Sequence, residues 1–228
     1  MTVERIETVY GLMLVPDTDT HQHGWLKSAG VSSEDLFIRE VCELLREKPP
    51  GTSIDVGANF GCWCLPLAKV SKYVIALEPQ WEVYKLLMRT LALNGGFDRF
   101  EVINAAAGDV AGVRWIPRLD LETAANFGDV AVGHRNNDQP AAAVDPVACV
   151  KIDALLNADE VRFIKIDVQG MEQAVLRGAE RVIRRCRPYL FVEAHPDFCN
   201  ARALREQIEA MGYYCLTGRG ANYLAMAL

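Results

Sequence analysis

From Ser53 to His195 short apolar runs alternate with longer amphipathic ones, and this rhythm limits the fold more than any other feature of the chain. "SIDV", "YVIALE", "FEVINAA", "VRFIKIDV" and "YLFVEAH" have strand length, and their near-continuous hydrophobicity marks strands covered on both faces. Between them lie "QWEVYKLLMRTLALN", closed by Gly95 and Gly96, and "MEQAVLRGAERVIRRC", stopped before Pro188, both with apolar residues at helical spacing. Strands joined by crossover helices form a parallel sheet, so the expected class is α/β, doubly wound, with helices on both faces. The end of the chain adds a helix and a closing strand pair, "YYCLTG" and "ANYLAMAL", of antiparallel sense.

Before the rhythm starts, "ETVYGLMLVP" reads as one or two short strands and the polar stretch from Asp17 to Gly30 as a loop. "SSEDLFIREVCELLRE" reads as a helix stopped by "KPPG". Residues 113–150 break the rhythm with glycine, asparagine, aspartate and proline, as a substrate loop would. The expectation is one domain over 1–228, with 1–50 as an N-terminal strand and helix cap and 113–150 as an insertion.

A chain of 228 residues that is half hydrophobic can bury a large core, and a formal charge of -6 lacks the basic footprint of nucleic-acid binding. The one basic run, "RVIRRCR", suits the end of a helix better than a phosphate patch. Seven cysteines without a C-x-x-C pair point to reduced thiols, hence to a cytoplasmic protein with neither a disulfide frame nor a zinc ribbon. No run approaches the ~20 apolar residues of a membrane span.

In a sheet of this kind ligands bind beyond the carboxyl ends of the strands, where strand order reverses. The first strand leads into "DVGANFG". Gly57 permits a tight turn and Gly61 close packing where a helix begins, but Asn59 stands where a dinucleotide site needs a second glycine, and no lysine followed by Ser/Thr closes a Walker loop. Asp55 can hold an ammonium, directly or through water, and the turn backbone a carboxylate. Glu78, about twenty residues on, has the placement that accepts ribose hydroxyls. An amine, a carboxylate and an unphosphorylated ribose together describe S-adenosylmethionine (SAM).

"DVGANFG", "ALEP", "NAAAGD", "FIKIDVQGMEQAVLRGAERVI" and "PYLFVEAHP" resemble the FkbM-type methyltransferases, a branch of the class I SAM-dependent enzymes. The resemblance covers roughly Leu36 to Pro196. It implies a Rossmann-like sheet of seven strands with the last one antiparallel. It further implies SAM held by Gly57, Ala58, Asn59, Phe60 and Gly61, Glu78 on the ribose with Pro79 beside it, and Asn104, Ala105 and Ala106 next to adenine. Members methylate hydroxyl groups on sugars, polyketides or glycolipid-like products, so the implied acceptor is a small molecule or glycan.

Lys165 and Asp167 share one side of the fourth alternating strand by period-two alternation. Asp167 fits three roles that stay open: general base, contact to the methionine amine, or ligand of a divalent cation such as Mg²⁺ that acidifies the acceptor. Capping the next helix is the structural alternative. Glu193 and His195 end the fifth strand and form a second polar pair facing the same crevice. His21 and His23 are a weak metal signal, Trp25 beside them a lid contact or surface packing, and His134 in the insertion is undecided. A homo-oligomer is compatible with all of this. Two other functions compete: an NAD-dependent oxidoreductase, which Asn59 disfavours, and a non-catalytic SAM-binding module.

Overall fold

A computed structural model describes residues 1–133, 144–155, 160–217 and 222–228. The chain opens with β1 (Val3–Glu7) and β2 (Leu12–Pro16), an antiparallel hairpin, then α1 (Gln22–Ala29) and α2 (Asp35–Arg46). The alternating part follows: β3 (Thr52–Val56), α3 (Cys64–Val70), β4 (Tyr73–Leu77), α4 (Trp81–Leu93) and β5 (Phe100–Ile103). A side excursion through β6 (Ala106–Ala107), β7 (Gly112–Pro117) and β8 (Val144–Val150) leads to α5 (Ile152–Leu155) and β9 (Val161–Ile166). The chain closes with α6 (Glu172–Gly178), α7 (Glu180–Cys186), β10 (Tyr189–Glu193), α8 (Ala201–Ala210), β11 (Tyr213–Thr217) and β12 (Asn222–Ala227).

The main sheet is mixed, with seven strands in the order β11-β12-β10-β9-β3-β4-β5. β5, β4, β3, β9 and β10 pair in parallel, and β12 runs antiparallel to both of its neighbours. Strand order reverses at β3, which has β4 on one side and β9 on the other. Period-two alternation divides the core accordingly. Ile54, Val56, Ile164, Ile166, Leu190 and Val192 pack with Val175, Leu176, Ile183, Leu204 and Ile208 of α6, α7 and α8. From the other face Phe163, Phe191, Val74 and Ala76 meet Ile38 and Val41 of α2, Leu67 of α3, Val83 and Leu87 of α4, and Met13 and Val15 of β2. Trp63, stacked on Phe163 at 5.7 Å, sits at the centre of that second layer.

Three elements differ from the sequence reading. The stretch 17–30 contains α1, because buried Asp19 accepts the backbone N–H groups of His21 and His23 at 3.1 Å and starts a helix that buries only Leu26. "MEQAVLRGAERVIRRC" forms two helices rather than one. Gly178, at their junction, lies so close to the Gly108 carbonyl that a Cβ would run into it. The insertion builds a second sheet, β6-β8-β7. Pro146 is tolerated in the central strand β8 because the two-residue β6 reaches only Cys149 and Val150. The hairpin's outer edge is closed by α4, where Asn94 Oδ1 and Thr90 Oγ1 accept the N–H groups of Leu12 and Leu14. Among the described residues no helix is long and apolar enough to cross a membrane.

Candidate active site

At the carboxyl ends of β3, β4 and β9 the chain turns away from the sheet and leaves a pocket where strand order reverses. Its near wall is the turn after β3. The N–H groups of Gly57 and Ala58 donate to Leu77 O, and Gly57 and Asn59 take positive φ angles of 81° and 49°. Asparagine tolerates that left-handed conformation better than most residues. The N–H of Asn59 donates to Glu78 Oε2 at 2.9 Å and the N–H of Gln80 to Glu78 Oε1 at 2.8 Å. Glu78 is therefore buried and fixed by two backbone amides, with a lone pair left on each oxygen for a ligand. Burial pushes its carboxyl up to about 7 against these two bonds.

Of the other residues expected near the cofactor, Pro79, Ala105, Ala106 and Asp167 line this pocket. Asn104 braces it from behind, donating Nδ2 to Glu78 O and Pro79 O. Ala58 and Phe60 are buried, and neither they nor Gly61 is a described lining residue. Gly61, at φ 98°, packs its Cα side on Leu87 and Thr90.

Asp55 requires a correction. It is wholly buried one layer below the turn, where Cys64 Sγ–H donates to Oδ2 at 3.2 Å and Lys165 Nζ lies 3.4 Å from Oδ1. As the next-to-last residue of β3 it points into the sheet rather than past its end. Lys165 is likewise a buried strut and lines neither the pocket nor the cleft beside it. Its Nζ donates to Gly57 O at 2.8 Å and pairs with Asp167 Oδ2 at 3.1 Å. Burial opposes the ammonium, but Asp167, Asp55 and Glu34 outweigh it and raise Lys165 well above the usual lysine range.

Beside the pocket, and sharing Asn59, Gly128, Asp167 and Gln169 with it, runs a second cleft. Glu34, Glu193, His21, Asn126 and Asn222 face it. Burial would raise Asp167, yet the Lys165 ammonium and hydrogen bonds from Glu193, Lys165 and Gln169 hold it below the ordinary carboxylate range. Burial and then the Asp167 charge push Glu193 up to about 9, and burial lifts Glu34 to about 7.

Several of these residues, Gln169 and Glu34 foremost, were not singled out in the sequence. Gln169 takes φ 50° and donates Nε2 to both Asp167 Oδ1 at 3.1 Å and Glu193 Oε2 at 2.8 Å. Glu34 Oε2 accepts Trp63 Nε1–H at 2.9 Å. The signals were faint: a glutamine before Gly170 in "DVQG", and an acid at the start of an amphipathic helix.

His195 is a second correction. β10 ends at Glu193 and the chain bends away, so the imidazole sits against Phe198 with its side chain 41% exposed and does not line the cleft. His21 and His23 do not converge either: His21 Nε2 meets Ser33 Oγ at 3.0 Å, while His23 faces Glu4. Trp25 is exposed, and His134 lies outside the described residues. Among the described residues no group of three or more His, Cys, Asp or Glu could hold a metal ion.

The insertion closes the pocket's far side. Asp19 Oδ2 accepts the N–H of Phe127, and Gln80 Nε2 donates to Phe127 O at 2.7 Å. Gly128, Val130 and Val132 are thereby placed on the pocket.

The protonated Glu193 has a consequence for stability. Between about pH 5 and 9 the folded chain keeps a proton that the unfolded chain has lost, so stability falls as pH rises through this window. The lowered Asp167 acts in the opposite sense, and only below its ordinary value. We expect urea unfolding of the ligand-free protein to lose at least about 1 kcal/mol between pH 7 and 9, and Glu193→Gln to lose less than half of that. Equal losses in the two proteins would refute the assignment.

The pocket suits a cofactor without phosphates. Gln80 Oε1 and Asn59 Oδ1 are closed to solvent and have no partner among the described residues, as acceptors waiting for donors would be. Comparison with known proteins agrees. The Methyltransferase FkbM domain family matches residues 55–215. A crystal structure of methyltransferase FkbM from Methylobacillus flagellatus KT is 19% identical, with a TM-score of 0.54 over 78% of this chain. This chain spans 43% of that protein's length. Precorrin 8w decarboxylase from Methanobacterium thermoautotrophicum is 13% identical, with a TM-score of 0.50 over 94% of this chain and 100% of its own. No curated protein matches in sequence. The end of β3, its glycine turn and the Lys165–Asp167 strand end all fall within the matched stretch, and the chain belongs to the FkbM family of SAM-dependent methyltransferases.

Proposed function

We propose that the protein transfers a methyl group from SAM to a hydroxyl of a small molecule or sugar-containing acceptor. One observation carries the reading: the pocket with Glu78 at its base and the polar cleft meet at Asp167. Bound SAM supplies a methyl on a sulfonium, which leaves by in-line displacement. Glu78 accepts the ribose hydroxyls, while Asn59 Oδ1 and Gln80 Oε1 accept further donors of the cofactor. Asp167, kept ionised by Lys165 and oriented by Gln169, takes the hydroxyl proton as the new C–O bond forms. A low basicity suffices, because the hydroxyl becomes strongly acidic once the bond has begun to form.

On this reading residues 1–50 and the insertion frame the acceptor around one catalytic domain in the cytoplasm. The net charge of -6 argues against nucleic acid as acceptor. The test is to incubate the protein with methyl-labelled SAM and fractionated extract of its own source, with and without chelator. A labelled product stable to chelator is expected, and no label in any fraction would count against catalysis.

The ribose assignment has its own test. Glu78→Ala should weaken SAM binding by ~1-3 kcal/mol, roughly 5- to 150-fold, in calorimetric titration. Unchanged affinity would remove Glu78 from the ribose.

A further inference from the structure

The cleft beside the cofactor pocket has a one-sided chemistry. Glu34 enters it from just before α2, Asp167 and Gln169 from the loop after β9, Glu193 from the end of β10 and Asn222 from the start of β12. None of its described lining residues is a lysine or arginine, and His21 is engaged with Ser33. Lys165 lies beneath, committed to Gly57 O, Asp55 and Asp167. Among the described residues, and apart from the Asn59 Oδ1 given to the cofactor, the side-chain atoms left there without a protein partner and closed to solvent are oxygen acceptors: Gln169 Oε1 and Asn222 Oδ1. The Gln169 amide cannot turn over, because a carbonyl in place of Nε2 would face the Asp167 carboxylate. Its left-handed backbone at φ 50° is a strained conformation kept at a working site.

Glu34 is pre-positioned. One oxygen is held by Trp63 Nε1–H, and Trp63 is itself clamped between Phe163 and Phe191 in the core. The other oxygen has no hydrogen bond among the described residues. A rigid carboxylate with a free oxygen, facing other carboxyls and orphaned carbonyls, is built to receive hydrogen-bond donors. We propose that this cleft selects an acceptor carrying a positively charged amine beside its hydroxyls, with Glu34 taking the ammonium.

The proposal rests on the methyltransferase reading above and narrows its acceptor. A neutral polyol would satisfy the carbonyls but leave the Glu34 carboxyl beside the Asp167 charge without a cation. An anionic acceptor would add to that repulsion. A metal ion does not suit the arrangement, since among the described residues these carboxyls do not gather into a metal-holding set. An organic ammonium needs no such convergence, because each carboxylate takes one of its N–H bonds.

The test compares three matched probes titrated into the protein saturated with S-adenosylhomocysteine: methyl 2-amino-2-deoxyglucopyranoside, its N-acetyl derivative and methyl glucuronide. The amine probe should bind at least about 10-fold more tightly than the N-acetyl one, and the glucuronide not measurably. Glu34→Gln, which keeps an acceptor for Trp63, should reduce the amine preference about 5-fold or more while S-adenosylhomocysteine affinity stays within about 2-fold. An amine probe that does not bind, an N-acetyl probe that binds as well, a glucuronide that binds best, or a preference unchanged in Glu34→Gln would each overturn the proposal. Loss of S-adenosylhomocysteine binding in the unmutated protein would instead strike the methyltransferase reading, so the two failures are read separately.

Discussion

Lys165→Met is expected to destabilise the protein by about 3–5 kcal/mol in urea unfolding, a large part of the ~5–15 kcal/mol that holds a domain of this kind together. The methionine fills most of the lysine's volume, so the loss is electrostatic rather than a cavity. Asp55 has no exposed surface, and once its ion pair with Lys165 is gone the weak Cys64 thiol donor is what remains to its side chain among the described residues. Asp167 loses the cation that keeps it ionised, and Gly57 O loses its donor. The double variant Asp55→Asn/Lys165→Met separates this account from a general packing defect. Neutralising the stranded carboxyl should restore at least about half of the lost stability, because an unpaired buried charge costs more than a buried amide. A single-variant loss below about 1 kcal/mol, or no recovery in the double variant, would refute the strut role.

Gly57→Ala should be nearly as severe, and it should abolish SAM binding. A Cβ at Gly57 would run into the Asp167 carbonyl, which is backbone and cannot swing away, and the φ of 81° is unfavourable for any L residue. Relief requires the ends of β3 and β9 to part, although Asp167 N–H is bonded to Val56 O there. We expect a cost of about 3 kcal/mol or more and at least about 100-fold weaker SAM binding. Gly95→Ala is the control. It has a comparable φ of 107° and nothing within 4 Å of its Cβ, so it carries the backbone strain without the collision. If the two variants cost the same, the close approach of the two strand ends does not matter.

The parts of the site legible in the sequence are those fixed by backbone geometry along one strand and its turn. Gly57 and Glu78 could be placed because parallel strands end at one edge, and the distance from the first strand end to the second is set by one crossover helix. The position of Asp55 just before the turn did not give its depth, and one residue of depth places it on Cys64 and Lys165 beneath the pocket. Alternation also failed past Glu193, because it holds only while the chain stays in the sheet, and His195 is beyond that end. Glu34 and Gln169 depend on contacts across long stretches of sequence, from Glu34 to Trp63 and from Gln169 to Glu193. Each looked ordinary by itself: an acid opening a helix and a glutamine in a turn. The second sheet was hidden for a related reason, since β8 carries a proline that only its short neighbour makes acceptable.

The wall of the proposed acceptor cleft formed by His21, Ser33 and Glu34 precedes residue 55, where the match to the family begins, whereas the turn after β3, proposed to hold the cofactor, lies inside the match. On the proposed reading, family membership over residues 55–215 therefore bears on the methyl donor, while part of the surface that would choose the acceptor stands outside it.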